Sequence, residues 1–152
     1  MITDTAVSSD EVTINAPVEL VWQILTDFDS YGDWNGFCPT AINTSLEMGS
    51  PVDMMIDLGE GLSRQVEFIC RVDENECIAW AMENKPEDPV HAVRSQYLKK
   101  LSDTSCTYTS VDDFSGPGAA GMMEHFAAIV EAGFNRCAYD LQKHAEAMYK
   151  AQ

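Results

Sequence analysis

The chain has 152 residues, is 45% hydrophobic and 22% charged, and carries a formal charge of −16 from 25 acidic and 9 basic residues. This length and composition predict one globular domain over residues 1–152, with a core that needs neither disulfides nor a metal. The acidic excess repels nucleic acid and anionic membrane surfaces, so neither is expected as a partner.

The N-terminus carries acid where a signal peptide would carry base, and no apolar run approaches the length of a transmembrane helix. We therefore expect a cytoplasmic protein without membrane insertion. The cysteines are scattered, with no CxxC pair and no histidine at metal-ligand spacing, which predicts reduced, packed thiols and no metal site. They are Cys38, Cys70, Cys77, Cys106 and Cys137.

The chain begins with a predicted strand and two predicted helices. Residues 11–15 alternate polar and apolar side chains, as a half-buried strand does. Pro17 suits the first turn of a helix, and apolar residues then recur at helical spacing to about Asp27. Aromatic rings at every third residue of 28–37 predict a short second helix that ends near Gly36.

The middle of the chain is predicted to be a β-meander. Five clusters of turn-forming residues separate six strand-like segments, of which the first covers residues 40–48. Strands joined by short turns pair antiparallel, because a parallel crossover needs a longer connection. The five clusters lie at residues 49–51, 59–61, 73–76, 85–89 and 102–104.

After Gly116 the pattern changes to an apolar stripe of helical period, which predicts one long helix reaching about Lys150. The element order is therefore β-α-α-β6-α, an α+β fold. A curved seven-stranded antiparallel sheet wrapped around the long helix would bury the apolar faces of both. The predicted stripe consists of Met122, Phe126, Ile129, Val130, Gly133, Phe134, Cys137, Leu141 and Met148.

Three motifs near the N-terminus carry a resemblance to a known family. Ala16 and Pro17 form the strand-to-helix junction, Val21 and Trp22 lie on the first helix, and residues 31–37 read Tyr-x-x-Trp-Asn-x-Phe. In this order they closely resemble the START-type helix-grip superfamily (SRPBCC), in its polyketide cyclase/dehydrase and lipid-transport group. The chain departs from that pattern at Gly36, where relatives often have proline.

The resemblance implies an elongated cavity between the helix and the sheet that receives lipids, sterols, polyketides or aromatic molecules. Some members of the superfamily are enzymes and others are carriers, and a fold alone does not decide between these roles. Beyond the N-terminal quarter, the resemblance consists of the element order and the final long helix.

Strand alternation predicts which side chains face the helix. The apolar set is Val52, Met54, Ile56 and Leu58, then Val66, Phe68, Cys70 and Val72, then Ile78, Trp80 and Met82. A ligand is expected to contact Met54, Ile56, Phe68, Trp80 and Met82 of the sheet, Met122, Phe126, Ile129 and Val130 of the helix, and Trp34 and Phe37 at the mouth. Core packing explains the methionines equally well.

On the last two strands the predicted inward face becomes polar. Alternation groups His91, Val93, Ser95 and Tyr97, then Cys106, Tyr108, Ser110 and Asp112, and it places Arg94 on the opposite face. Polar groups on an apolar wall suit ligand orientation, so Ser95, Tyr97, Tyr108 and Ser110 are predicted to bind the ligand. Alternatively, these strands tilt into solvent or the hydroxyls bond one another.

Catalysis would require a proton donor or acceptor near the ligand. The candidates are His91 at one end of the cavity, Tyr97, Tyr108, and Arg64 as a partner for a carboxylate or enolate at the rim. A solvated strand end explains Arg64 equally well. His125 and His144 flank the stripe of the long helix and are expected to be exposed.

The leading hypothesis is the binding of a small hydrophobic or aromatic molecule by a carrier or sensor, acting as a monomer or homodimer. The alternative is a cyclase, dehydratase or lyase that uses no cofactor. A protein-interaction module of the same superfamily is a third possibility. Residues 116–121 lack the GxGxxG spacing of a dinucleotide site, so no nucleotide cofactor is predicted.

Overall fold

A computed structural model describes residues 1–152, with eight strands, two α-helices and one 3-10 helix. The N-terminal elements are β1 (Ala6–Ser8), β2 (Val12–Ile14), α1 (Val18–Thr26), the 3-10 helix (Phe28–Asp33) and β3 (Thr40–Ile42). The rest are β4 (Pro51–Asp57), β5 (Leu62–Asp73), β6 (Cys77–Ala81), β7 (His91–Ser102), β8 (Ser105–Ser115) and α2 (Ala119–Lys150).

All strand pairs are antiparallel, in the order β1-β8-β7-β6-β5-β4-β3, with β2 also paired to β8. The long helix α2 packs against α1 and the β1, β2 and β8 edge of the curved sheet. This is the predicted helix-grip α+β fold, and the apolar inner face of the sheet and one face of α2 form the core between them.

The element boundaries agree closely with the sequence pattern. α1 begins directly after Pro17, and the 3-10 helix ends at Asp33, shortly before Gly36. Two details differ: the sheet has eight strands because β1 adds one at its edge, and the strand predicted over residues 40–48 ends at Ile42. A strand of three residues is too short to produce a readable alternation.

Two β-bulges decide which side chains face α2. The pairing of β5 with β6 skips Cys70, and the pairing of β7 with β8 skips Leu101. A bulge inserts one extra residue into a strand, so the alternation of inward and outward side chains is reversed relative to the partner strand. The faces predicted for β7 and for most of β5 are therefore wrong.

The predicted stripe of α2 is confirmed from Gly133 to Leu141 and is wrong at Phe126, Ile129 and Met148. Gly133, Phe134 and Cys137 are buried against the sheet, but Phe126 and Ile129 are exposed. Met122 and Val130 are half-buried beside the core, and Met148 is exposed. The buried positions of α2 before Gly133 are Ala119, Met123 and Ala127.

All five cysteines are free thiols, four of them buried and Cys70 exposed at its bulge. Neither α-helix has both the length and the apolar character that crossing a bilayer requires.

Candidate functional site

The inner face of β6, β7 and β8 carries two adjacent rows of side chains. In the first row Trp80, Arg94 and Asp112 are directly paired across the three strands. The second row contains Gln96, which is paired to Ser110 and lies two residues beyond Arg94 on the same face. A charged and polar cluster therefore lies in the part of the sheet that faces α2.

Arg94 is the centre of this cluster and is only 5% exposed. Its Nε donates a hydrogen bond to Ser110 Oγ at 2.9 Å, and its Nη2 lies 3.9 Å from Cys137 Sγ on α2. Its guanidinium carbon lies 4.3 Å from the ring centroid of Phe134 and 5.3 Å from that of Phe37. Cation–π contacts of this kind stabilise the buried charge.

Phe37 reaches the guanidinium because α2 has a glycine where it crosses the ring. A Cβ atom at Gly133 would lie 2.5 Å from the Phe37 ring. In the absence of that atom, the Phe37 ring packs edge-on against the Phe134 ring, with the two ring centroids 5.6 Å apart. The loop that carries Phe37 is fixed by Asn35, whose Oδ1 accepts hydrogen bonds from the backbone N–H groups of Phe37 and Cys38 at 3.1 and 2.8 Å.

Two acidic side chains lie in the same interior with pKa values close to neutral. Burial and, to a smaller extent, the nearby Asp112 raise the pKa of Glu67 to about 8, although Arg94 opposes both effects. Burial also raises the pKa of Asp112 to about 7, again against the influence of Arg94. Near neutral pH these carboxyls can both hold and release a proton.

Several buried polar atoms of the inner face have no hydrogen-bond partner in the protein. The Tyr108 hydroxyl donates to Gln96 Oε1 at 2.6 Å, but Gln96 Nε2 is unpaired. The indole N–H of Trp80 and one carboxylate oxygen of Asp112 on this face are also unpaired, and so is the indole N–H of Trp34 at the end of the 3-10 helix. Buried polar groups are nearly always bonded, so a cluster of exceptions indicates a functional site.

Six of the sequence-predicted site residues are buried on the inner side of the sheet or at the loop beside it. They are Phe37, Met54, Ile56, Trp80, Tyr108 and Ser110. Trp34 is also buried, stacked on His144 at 6.3 Å between ring centroids. Met82, Met122 and Val130 are half-buried next to the core. Whether any of them contacts a ligand stays a prediction.

The register places the remaining predicted residues of the sheet on its outer face, where Ser95 is nevertheless buried, and this corrects their assignment to the inner wall. Because of the two bulges, Arg64 and Phe68 of β5 and His91, Ser95 and Tyr97 of β7 lie on the outer face of the sheet. Arg64 is exposed and forms a double hydrogen bond with Asp53 at 2.9 and 2.8 Å. On α2, Phe126 and Ile129 are 49% and 39% exposed.

The surface grooves hold several of these displaced residues. A groove of about 570 Å³ is lined by Arg64, Phe68 and Met82, and another of about 650 Å³ by Tyr97. A third, of about 390 Å³, lies between α1, the 3-10 helix and α2, with Trp34 in its wall. None of the three contains Arg94, where the unpaired polar atoms are concentrated.

The sequence-based prediction missed Arg94, Gln96 and Glu67 as residues of the inner face. No signal in the sequence identifies Arg94 and Gln96, because their inward position depends on the bulge at Leu101, which shifts the pairing of β7 with β8 by one residue. For Glu67 the available signal is hairpin register, since it is paired with Val52 of β4, which was expected to face inward.

Comparison with known proteins places this architecture in a family. The family described as "Polyketide cyclase / dehydrase and lipid transport" matches residues 5–146, and the chain belongs to it. A search of curated proteins finds no match.

Solved structures show the same fold at low sequence identity. The Zhui aromatase/cyclase from Streptomyces sp. R1128 is 21% identical over 93% of both chains, with a TM-score of 0.72. A START superfamily protein from Mycobacterium smegmatis is 14% identical over 90% of this chain and 99% of its own, with a TM-score of 0.62. XoxI from Bacillus cereus is 16% identical over 95% and 97%, with a TM-score of 0.71.

Proposed function

We propose that the protein binds a small apolar or aromatic organic molecule between the sheet and α2, with its polar end at Arg94. One observation carries this proposal: the unpaired indole N–H of Trp80, amide N–H₂ of Gln96 and carboxylate oxygen of Asp112 are grouped around a buried cation. Aromatic rings surround this group, and a mostly apolar wall with a few convergent polar atoms is typical of a small-molecule site.

The first test is native mass spectrometry of the protein as purified, followed by titration with the neutral fluorescent dye Nile red. We expect an adduct of defined mass or a saturable increase in dye fluorescence. Cys137→Phe adds bulk beside Arg94 and should abolish binding, whereas Ala128→Phe on the exposed side of α2 should leave it intact. Binding that persists in folded Cys137→Phe, or is absent from the unmodified protein, contradicts the proposal.

A second candidate function is catalysis of proton transfer next to a carbonyl group without a cofactor, as required for a cyclisation or dehydration. Glu67 and Asp112 favour it, because their pKa values of about 8 and 7 suit a base or acid at neutral pH. The carboxylate would take the proton from carbon, and the Arg94 guanidinium would stabilise the enolate oxygen that forms. The similarity to an aromatase/cyclase is consistent with this chemistry.

This second function is tested by hydrogen–deuterium exchange at the carbon next to the carbonyl of 2-tetralone in D₂O, followed by NMR. We expect Glu67→Gln to slow the protein-catalysed exchange without loss of 2-tetralone binding. Glu47→Gln, at an exposed position, is the control. Equal exchange rates in Glu67→Gln and the unmodified protein exclude Glu67 as the base.

We also propose that the protein acts in the cytoplasm as a monomer or homodimer. Its unbridged thiols favour a reducing compartment, where disulfides are rare. Cell fractionation and analytical ultracentrifugation test the two parts of this proposal separately.

A further inference from the structure

Arg94 is a buried cation without an ion partner. The ion pairs of the protein involve its other charged groups, and no carboxylate oxygen lies within 4.0 Å of an Arg94 nitrogen. A guanidinium has five N–H donors, and the contacts with Ser110 and Cys137 use two of them. Buried charges are normally paired, because an isolated one is costly to remove from water.

The groups that face Arg94 leave its charge largely uncompensated. The pKa values of Glu67 on β5 and Asp112 on β8 are raised mainly by burial to about 8 and 7, so mildly acidic solution protonates both. The remaining titratable neighbours are two tyrosines and two cysteines from the sheet, α2, the 3-10 helix and its following loop. They are Tyr108, Cys137, Tyr31 and Cys38.

We propose that the molecule held between the sheet and α2 carries a carboxylate on an aromatic or aliphatic body, and that this carboxylate pairs with Arg94. The planar fork of a guanidinium matches a carboxylate with two parallel hydrogen bonds. The unpaired N–H groups of Trp80 and Gln96 lie on the same face, one beside Arg94 and one in the adjacent row, and provide further donors. This inference rests on the proposed binding function.

Other arginines of the sheet lack these properties. Arg64 and Arg71 lie on the outer face of β5, and each already pairs with an aspartate, Asp53 or Asp73. Both side chains are more than half exposed, so water and salt screen their charge. A carboxylate gains little at either position, whereas at Arg94 it would meet an unpaired charge away from solvent.

The test compares acids with amides of the same shape by isothermal titration calorimetry at pH 6. The probes are 2-naphthoate against 2-naphthamide and decanoate against decanamide, titrated into the unmodified protein. We expect at least one acid to bind at least about tenfold more tightly than its amide. Arg94→Met should weaken the binding of the acid far more than that of the amide, so that the preference is lost, and Arg71→Met should preserve it.

A second variant, Arg94→Lys, is included because Arg94 is buried. Lysine keeps the positive charge in the interior but lacks the planar fork of the guanidinium. This variant should retain only part of the preference for the acid. Equal affinity of acid and amide in the unmodified protein overturns the carboxylate proposal while the binding function stands. A preference that survives in Arg94→Met also overturns it, and binding of none of the four probes overturns both proposals.

Discussion

The two faces of the sheet carry the same kinds of chemical group in different surroundings. The outer face has Arg64 paired with Asp53, and Tyr97 lies beneath the Arg71 guanidinium at 5.9 Å. The inner face has Arg94 without a carboxylate in contact and Tyr108 fully buried. Surroundings, rather than residue type, thus distinguish a solvated surface from a candidate site.

The same contrast applies to the carboxyl groups. The hydrogen bond from Arg64 lowers the pKa of Asp53 on the outer face, so this group is ionised. Inside, burial raises the pKa values of Glu67 and Asp112 toward neutrality, although Arg94 opposes the change. The contact with an arginine therefore determines the direction of the pKa shift at the surface, whereas desolvation determines it in the interior.

The largest difference between the faces is expected for aromatic side chains. Trp80→Ala removes a buried ring and should lower the free energy of unfolding by about 3–5 kcal/mol. Phe68→Ala, at a half-buried position of the outer face, should cost less than half as much. Urea denaturation of both variants measures this, and equal losses would contradict the assignment of the two faces.

The pH dependence of stability should depend on Glu67. Its pKa is raised from 4.5 to about 8 on folding, so the stability it contributes is full below about 4.5 and is lost as the pH rises to about 8. Thermal midpoints between pH 5 and 9 should fall in the unmodified protein and fall less in Glu67→Gln. Glu47→Gln is the exposed control, and identical profiles for all three proteins would contradict the raised pKa.

Replacement of Tyr108 and of Tyr97 should give a smaller difference in the free energy of unfolding. Tyr108→Phe leaves the buried Gln96 Oε1 without its 2.6 Å hydrogen bond and should cost about 1–3 kcal/mol of unfolding free energy. Tyr97→Phe should have no measurable effect, because that side chain is 38% exposed and its hydroxyl makes no hydrogen bond within the protein. A larger loss in Tyr97→Phe would reverse the comparison.

The smallest effect is expected for Arg64→Met. Exposed ion pairs contribute little to stability, so the thermal midpoint should be unchanged at physiological salt. Binding of 2-naphthoate should also be unchanged, since Arg64 lies on the face away from α2. Loss of binding in a folded Arg64→Met variant would instead support the sequence-based expectation that Arg64 holds a carboxylate.

The element order could be predicted from the sequence because each boundary has a local chemical cause. Pro17 starts α1, clusters of turn residues end the strands, and helical periodicity fixes α2 to within a few residues. The N-terminal motifs add the fold family, which the match over residues 5–146 confirms.

The side chains of the inner face were harder to predict than the element order. They depend on the two bulge residues, Cys70 and Leu101, which have no partner in the strand pairing. Without a bulge, a two-residue turn at 103–104 would pair Tyr97 with Ser110, which matches the expected polar wall. The bulge at Leu101 pairs Gln96 with Ser110 instead and turns Tyr97 outward. Nothing in the alternation of β7 marks this shift, since both of its phases mix polar and apolar residues.

The inward position of Arg94 was also difficult to predict because of its residue type. Arginine is rarely buried, so a pattern of apolar and polar positions assigns it to solvent. Only tertiary structure, with Phe134 and Phe37 packed on its guanidinium, explains its position. Departures from general burial rules of this kind are most common at functional sites.

Gly133 makes this part of α2 resistant to a common stabilising design. Replacing a helical glycine with alanine usually stabilises a protein by about 1 kcal/mol. Here the added methyl group would displace Phe37 from the guanidinium that it covers. Helix propensity and the packing of Phe37 on Arg94 therefore favour different residues at this position, and alanine here would disturb the candidate site.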